Sequence, residues 1–159
     1  MQSVVIFGIS DSSQLAKFYI ENDPKYSGFQ VVAFTADSDY MDKDTFEGLP
    51  VIDFSKIEEE FPPEENLLFV PITGIKMNKV RMKKYERGKE LGYEFFSYIS
   101  SDATIMSDQI GENCFILENQ TIQPTVKIGD NVMVWSGNHL GHGSTIGDHS
   151  YLASHICVS

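Results

Sequence analysis

From Ile110 onward every sixth residue is a branched aliphatic: Ile110, Ile116, Ile122, Ile128, Val134, Leu140, Ile146, Leu152 and Val158. A period of six suits neither an amphipathic helix nor the alternation of a half-buried strand. It suits a parallel β-helix, in which each short strand contributes one inward aliphatic and then turns a corner. The remaining positions of the repeat agree. One residue after an aliphatic stand Gly111, Gly129, Gly141 and Gly147; three after stand Asn113, Asn119, Asn131, Gly137, Gly143, His149 and His155. Glycine, asparagine and histidine tolerate the positive φ that a repeated tight corner requires.

Upstream the pattern changes. Val4 to Gly8 reads as a short apolar strand running into the loop Gly8–Ser13, followed by a helix with Leu15, Phe18 and Tyr19 on one face. Phe29 to Phe34 is a second buried strand ending at Thr35-Ala36-Asp37. Beyond a loop holding Asp39, Asp42 and Asp44, Leu49–Ile52 reads as an edge strand because it contains Pro50. Ser55 and Glu58 form the capping-box signature of a short helix that Pro62 and Pro63 stop. Leu67–Ile72 is another buried strand, Lys76–Glu90 a basic helix ending at Gly92, and Tyr93–Ile99 a last strand. Strands alternating with helices predict βαβ units around a parallel sheet. The expected class is therefore α/β followed by all-β, with one domain over residues 1–98 and a coil over 99–159 and no linker between them.

The 159 residues include 42% hydrophobic ones, enough for a packed core, and the net charge of -11 argues against nucleic acid or an anionic membrane as partner. The charge is uneven: from Ile99 onward Lys127 is the one basic residue against six acidic ones. Cys114 and Cys157 form no disulfide framework and are expected to be small core-lining residues in a reducing compartment. No apolar run reaches the ~20 residues of a membrane span, and the Val4–Phe7 stretch lacks the basic lead of a signal peptide. A soluble, cytoplasmic protein is expected.

A strand, a glycine turn and a helix N-terminus form a natural cradle for a phosphate or nucleoside. The dinucleotide fingerprint needs three glycines there; only Gly8 is present, with Ser10 and Ser13 where glycines would stand, so NAD is not expected. Asp11 or Ser12 either caps the helix or, with Ser10 and the free amides, binds a sugar nucleotide. Asp37, just past the second strand, is either a solvated turn residue or a contact to a ribose or base. Thr73-Gly74 and the helix behind it, with Asn78 and Arg81, lie where open α/β sheets bind ligands, at the switch point of the sheet. Among the four histidines, His149 and His155 occupy corner positions. His142 breaks that register between Gly141 and Gly143, so its imidazole is expected to project outward, free to accept a proton near neutral pH. His139, after Asn138, is placed on the preceding corner, able to orient His142 or hold a ligand. Trimeric coils such as the γ-class carbonic anhydrases bind zinc through histidines of adjacent chains. The intervals here, three, seven and six residues, do not reproduce their pair, and no metal is expected.

The stretch from Ile110-Gly111-Glu112-Asn113 through Trp135-Ser136-Gly137-Asn138-His139-Leu140-Gly141-His142 resembles the hexapeptide-repeat sugar acetyltransferases. These comprise the sialic acid O-acetyltransferase family and the N-acetyltransferases of nucleotide-linked amino sugars. The N-terminal part resembles their Rossmann-like sugar-nucleotide domain. The resemblance implies a left-handed parallel β-helix that forms a homotrimer, with acetyl-CoA between neighbouring chains and a nucleotide-linked or other sugar as acceptor. It makes His142 the general base, with His139, Asn138, Gly141 and Gly143 as supporting or acetyl-CoA-contacting residues. Amides of the Gly141–Gly143 turn are expected to stabilise the oxyanion. At three hexapeptides per coil, residues 110–159 supply fewer than three coils and stop within a repeat, so the β-helix is expected to be truncated at Ser159. The alternative is a non-catalytic sugar-nucleotide-binding or trimerisation module.

Overall fold

The computed structural model describes residues 1–159. By contact density the chain divides into Met1–Ile72 with Lys84–Phe96, and Thr73–Lys83 with Ser97–Ser159.

The first unit is built on β1 (Gln2–Phe7), α1 (Asp11–Asn22), β2 (Phe29–Ala36), β3 (Thr45–Phe46), β4 (Leu49–Asp53), α2 (Ile57–Glu60), β5 (Asn66–Phe69) and the later part of α3 (Lys79–Glu90). Its sheet runs β3-β4-β2-β1-β5, parallel throughout except for the antiparallel pair β3–β4. Val4, Val5, Ile6, Leu68 and Phe69 are fully buried, as continuous apolar strands in a covered sheet must be.

Several details depart from the sequence pattern. The buried face of α1 is Ser13, Ala16 and Ile20, while Phe18 is 58% exposed; small side chains let the helix lie close against β1 and β2. Strand β4 is not the edge: Val51–Asp53 pair with β2, and Leu49 and Pro50 pair with the two-residue β3 outside them. The turn before α2 is capped by Asp53, whose carboxylate accepts from the Ser55 amide and hydroxyl at 2.9 and 2.8 Å, rather than by Ser55. Of the expected last strand Tyr93–Ile99, Phe95 makes a single bridge to Leu68, and Tyr98–Ile99 pair instead within the second unit.

The second unit is a three-sided coil. One side stacks β6 (Tyr98–Ile99), β8 (Phe115–Ile116), β11 (Met133–Val134) and β14 (Tyr151–Leu152). The next stacks β7 (Thr104–Ile105), β9 (Thr121–Ile122), β12 (His139–Leu140) and β15 (Cys157–Val158). The third stacks Ile110, β10 (Lys127–Ile128) and β13 (Thr145–Ile146). Every pair is parallel, and the step is 18 residues, as from Phe115 to Met133 to Tyr151. This geometry fits a left-handed parallel β-helix. All nine periodic aliphatics point inward, packed with Cys114, Val126 and Val132, and burial of each such side chain contributes roughly 1.5–3 kcal/mol.

The coil begins earlier than the visible repeat, because Ile99 and Ile105 join the same stack. Tyr98 pairs with Phe115 and Thr104 with Thr121, steps of 17 rather than 18. The short corner at Met106–Gln109 has no positive-φ residue; instead the Ser107 hydroxyl donates to the Val126 carbonyl at 2.6 Å and accepts from the Gln109 amide at 3.2 Å.

Corner residues 113, 119, 125, 131, 137, 143, 149 and 155 all take positive φ. The glycines one place after an aliphatic do not; Gly111, Gly129 and Gly141 serve close approach between coils, while Gly147 faces open space. A Cβ on Gly129 would come 2.1 Å from Asp148 Oδ1 and 2.8 Å from the Asp148 amide. Corner side chains also ladder: Asn113 Nδ2 donates to Asn131 Oδ1 at 2.7 Å, and Asn131 Nδ2 lies 2.9 Å from His149 Nδ1. The segment Thr73–Lys83 clusters with the coil, so a single cut at 98/99 is not how contacts divide. Asn78 Nδ2 donates to the His149 carbonyl at 2.9 Å and Arg81 Nη2 to the Asn113 carbonyl at 2.7 Å.

Candidate active site

In the second unit, Gly141, His142, Gly143 and Ser144 form a tight turn between β12 and β13. The Ser144 amide donates to the Gly141 carbonyl at 3.2 Å and Gly143 has φ 76, the signature of a type II turn. His142 is the second residue of that turn, where a side chain points away from the chain. Its imidazole is exposed and makes no hydrogen bond within the chain, leaving both ring nitrogens to a ligand.

The turn's amides are all committed. Gly141 N donates to the Val158 carbonyl at 2.7 Å, His142 N to Gln123 Oε1 at 2.9 Å and Gly143 N to Thr125 Oγ1 at 3.0 Å. No amide of this turn is therefore left to stabilise an oxyanion, contrary to expectation. Gln123 and Thr125, which the repeat pattern did not single out, are the residues that take two of them.

His139 lies on strand β12, not on a corner, in register with Thr121 and Cys157. Its Nε2 would be 3.8 Å from a Cβ at Gly141, so the half-buried ring lies beside the His142 turn. Asn138 is 2% exposed and works inside the coil: its Nδ2 donates to the Trp135 carbonyl and its Oδ1 accepts from the Ile156 amide. Cys157 is exposed, one place before Val158 and pointing outward, whereas Cys114 lines the core as expected.

In the first unit, Gly8 ends β1 with φ 109, and a Cβ there would lie 2.6 Å from Ser13 Oγ and 2.8 Å from Ile72 Cγ2. Packing alone thus demands this glycine. The N-cap of α1 is Ser10, not Asp11 or Ser12; its hydroxyl makes no capping bond and instead lies 3.0 and 3.2 Å from those of Ser12 and Ser13. Asp37 is ion-paired with Lys84 at 2.6 Å, and that ammonium also lies over the Phe7 and Phe54 rings. Gly74, Asn78 and Arg81 belong to the second unit. Asn78 and Arg81 are 4% and 1% exposed, each donates to a carbonyl of the coil, and Asn78 Oδ1 is buried without a hydrogen-bond partner. No group of three His, Cys, Asp or Glu side chains comes together in metal-binding geometry.

Residues 125–155 match the family described as bacterial transferase hexapeptide (six repeats). No curated protein matches the chain. Among solved structures, the acetyltransferase domain of PglB from Neisseria gonorrhoeae, in complex with acetyl coenzyme A, superposes with a TM-score of 0.75 at 17% identity, covering 94% of this chain and 69% of that one. PerB from Caulobacter crescentus, with CoA and GDP-perosamine, gives 0.73 at 22% identity over 95% and 68% of the two chains. WeeI from Acinetobacter baumannii gives 0.75 at 19% identity over 95% and 69%. The chain thus carries transferase hexapeptides in its coil and, along nearly its whole length, a fold like that of these proteins.

Proposed function

We propose that the protein is an acetyl-CoA-dependent sugar acetyltransferase, with His142 as general base and a nucleotide-linked sugar as acceptor. The observation that carries this reading is the exposed, unpartnered imidazole of His142 on a turn whose backbone is tied down. The acetyl-CoA, CoA and GDP-perosamine held by proteins of similar fold give it a substrate class. The neutral imidazole accepts the proton of a sugar hydroxyl or amine as that group attacks the thioester carbonyl. The tetrahedral intermediate then collapses, expels CoA as thiolate and leaves the acetyl group on the sugar; the imidazolium returns its proton to the sulfur. Since the His142 turn has no amide to spare, the oxyanion donors come from elsewhere. In the first unit, the same reading assigns nucleotide contacts to Gly8, Ser10, Asp11, Ser12 and Asp37. A homotrimer and the cytoplasm, where acetyl-CoA is found, complete the reading.

The test is release of free thiol from acetyl-CoA in the presence of nucleotide-linked amino sugars. His142→Ala is expected to lower kcat by about 10²–10⁴-fold, the usual worth of a general base; full activity in this variant refutes the role. Acetyl-CoA is expected to raise the melting temperature, since a ligand that binds only the native state stabilises it. A shift with the nucleotide sugar but none with acetyl-CoA favours a non-catalytic binding module.

A further inference from the structure

We infer that Gln123 and Thr125 are positioning residues for His142, a conclusion that rests on the proposed role of that histidine. Two turns stack here, one coil apart. The upper, Gln123-Pro124-Thr125-Val126, is closed by the Val126 amide on the Gln123 carbonyl at 3.4 Å; the lower, Gly141–Ser144, is closed the same way at 3.2 Å. Proline fixes φ at the second position of the upper turn, which stiffens it. From that platform two side chains reach down. Gln123 Oε1 accepts the His142 amide at 2.9 Å and Thr125 Oγ1 accepts the Gly143 amide at 3.0 Å. The backbone on both sides of the imidazole is thereby fixed, and the ring moves only about its own side-chain torsions.

Thr125 bears a conformational cost to do this. Every other corner of the coil from 113 to 155 uses Asn, Gly or His; Thr125 alone is β-branched, with φ 65. A β-branched residue in the left-handed region is a genuine outlier, and such strain persists where surrounding structure enforces it, most often at functional sites. Holding one coil to the next does not require strain. Asp130 and Asp148 accept the Glu112 and Asp130 amides at 2.9 and 2.8 Å from ordinary backbone conformations.

The discriminating variant is Thr125→Gly, which relieves the strain and removes the hydroxyl. It is expected to melt no lower than the parent, to exchange the Gly143 amide proton faster, and to lose about 10-fold or more in kcat with the KM for acetyl-CoA unchanged, as a displaced catalytic group does. Thr125→Ser, which keeps the hydroxyl, is expected to restore both exchange protection and kcat. Gln123→Ala should expose the His142 amide in the same way. Wild-type kcat in Thr125→Gly, or His142 and Gly143 amides exchanging as fast in the parent as in the variants, overturns the inference. Full activity in His142→Ala overturns the base assignment instead. Amide exchange reads the tether whether or not turnover is observed.

Discussion

Cys114 lies inside the coil with its thiol 3.2 Å from the Gly129 carbonyl, and burial pushes its pKa up to about 11 from 9.0. Between those two values the unfolded chain ionises this thiol and the folded chain does not, so its contribution to stability falls as pH rises through that window. Cys157 is exposed. A thiol reagent at neutral pH is therefore expected to label Cys157 quickly and Cys114 only after denaturation, since the thiolate is the reactive form; mass spectrometry of the labelled peptides checks it. At this scale the sequence marked His142 correctly as outward-facing, because a histidine between two glycines breaks the corner register. It could not mark Gln123, whose partner amide lies 19 residues further on. Thr125 did leave a trace, as the one corner residue that is not Asn, Gly or His. The burial of Asn138 and Arg81 was not legible, since a polar side chain reads the same in a sequence whether it lies inside the fold or on its surface.

The regular coil explains why glycines at equivalent positions are not equivalent. Gly129 faces the Asp148 carboxylate and amide, but a Cβ on Gly147 would meet nothing within 4 Å. Gly129→Ala is expected to cost about 1–3 kcal/mol, as overpacking does, and Gly147→Ala to change little; urea unfolding of the two variants measures the difference. Period six was legible because each coil presents the same inward side chain three times. The coil was expected from residue 99, but its repeat was legible only from Ile110, because the 17-residue step puts Ile99 and Ile105 out of phase. Strand order in the other unit followed from alternation of strands and helices, whereas the face of α1 did not. Burial there was decided by Ser13 and Ala16, which are too small to register as an apolar stripe.

Helix α3 belongs to both units, Lys79–Lys83 to one and Lys84–Glu90 to the other. A helix melts cooperatively, so its continuity is expected to link their unfolding. The protein has one tryptophan, Trp135, in the coil, while α1 and α2 lie in the first unit. Fluorescence thus follows the coil and helical circular dichroism mainly the first unit, and in urea their midpoints are expected to coincide. Arg81, whose pKa burial pulls down to about 10, is the helix's deepest anchor in the coil. Arg81→Ala leaves a cavity and removes the bond to the Asn113 carbonyl, a loss of about 3 kcal/mol, and is expected to move the fluorescence transition to lower urea ahead of the dichroism. The corner at Met106–Gln109 has its own corollary. Held by a serine hydroxyl instead of a left-handed residue, it is a seam where the prism absorbs a change in length. One residue spliced in there brings the opening rungs into step with all those after them, so this is where an insertion can be grafted without disturbing the axial filling.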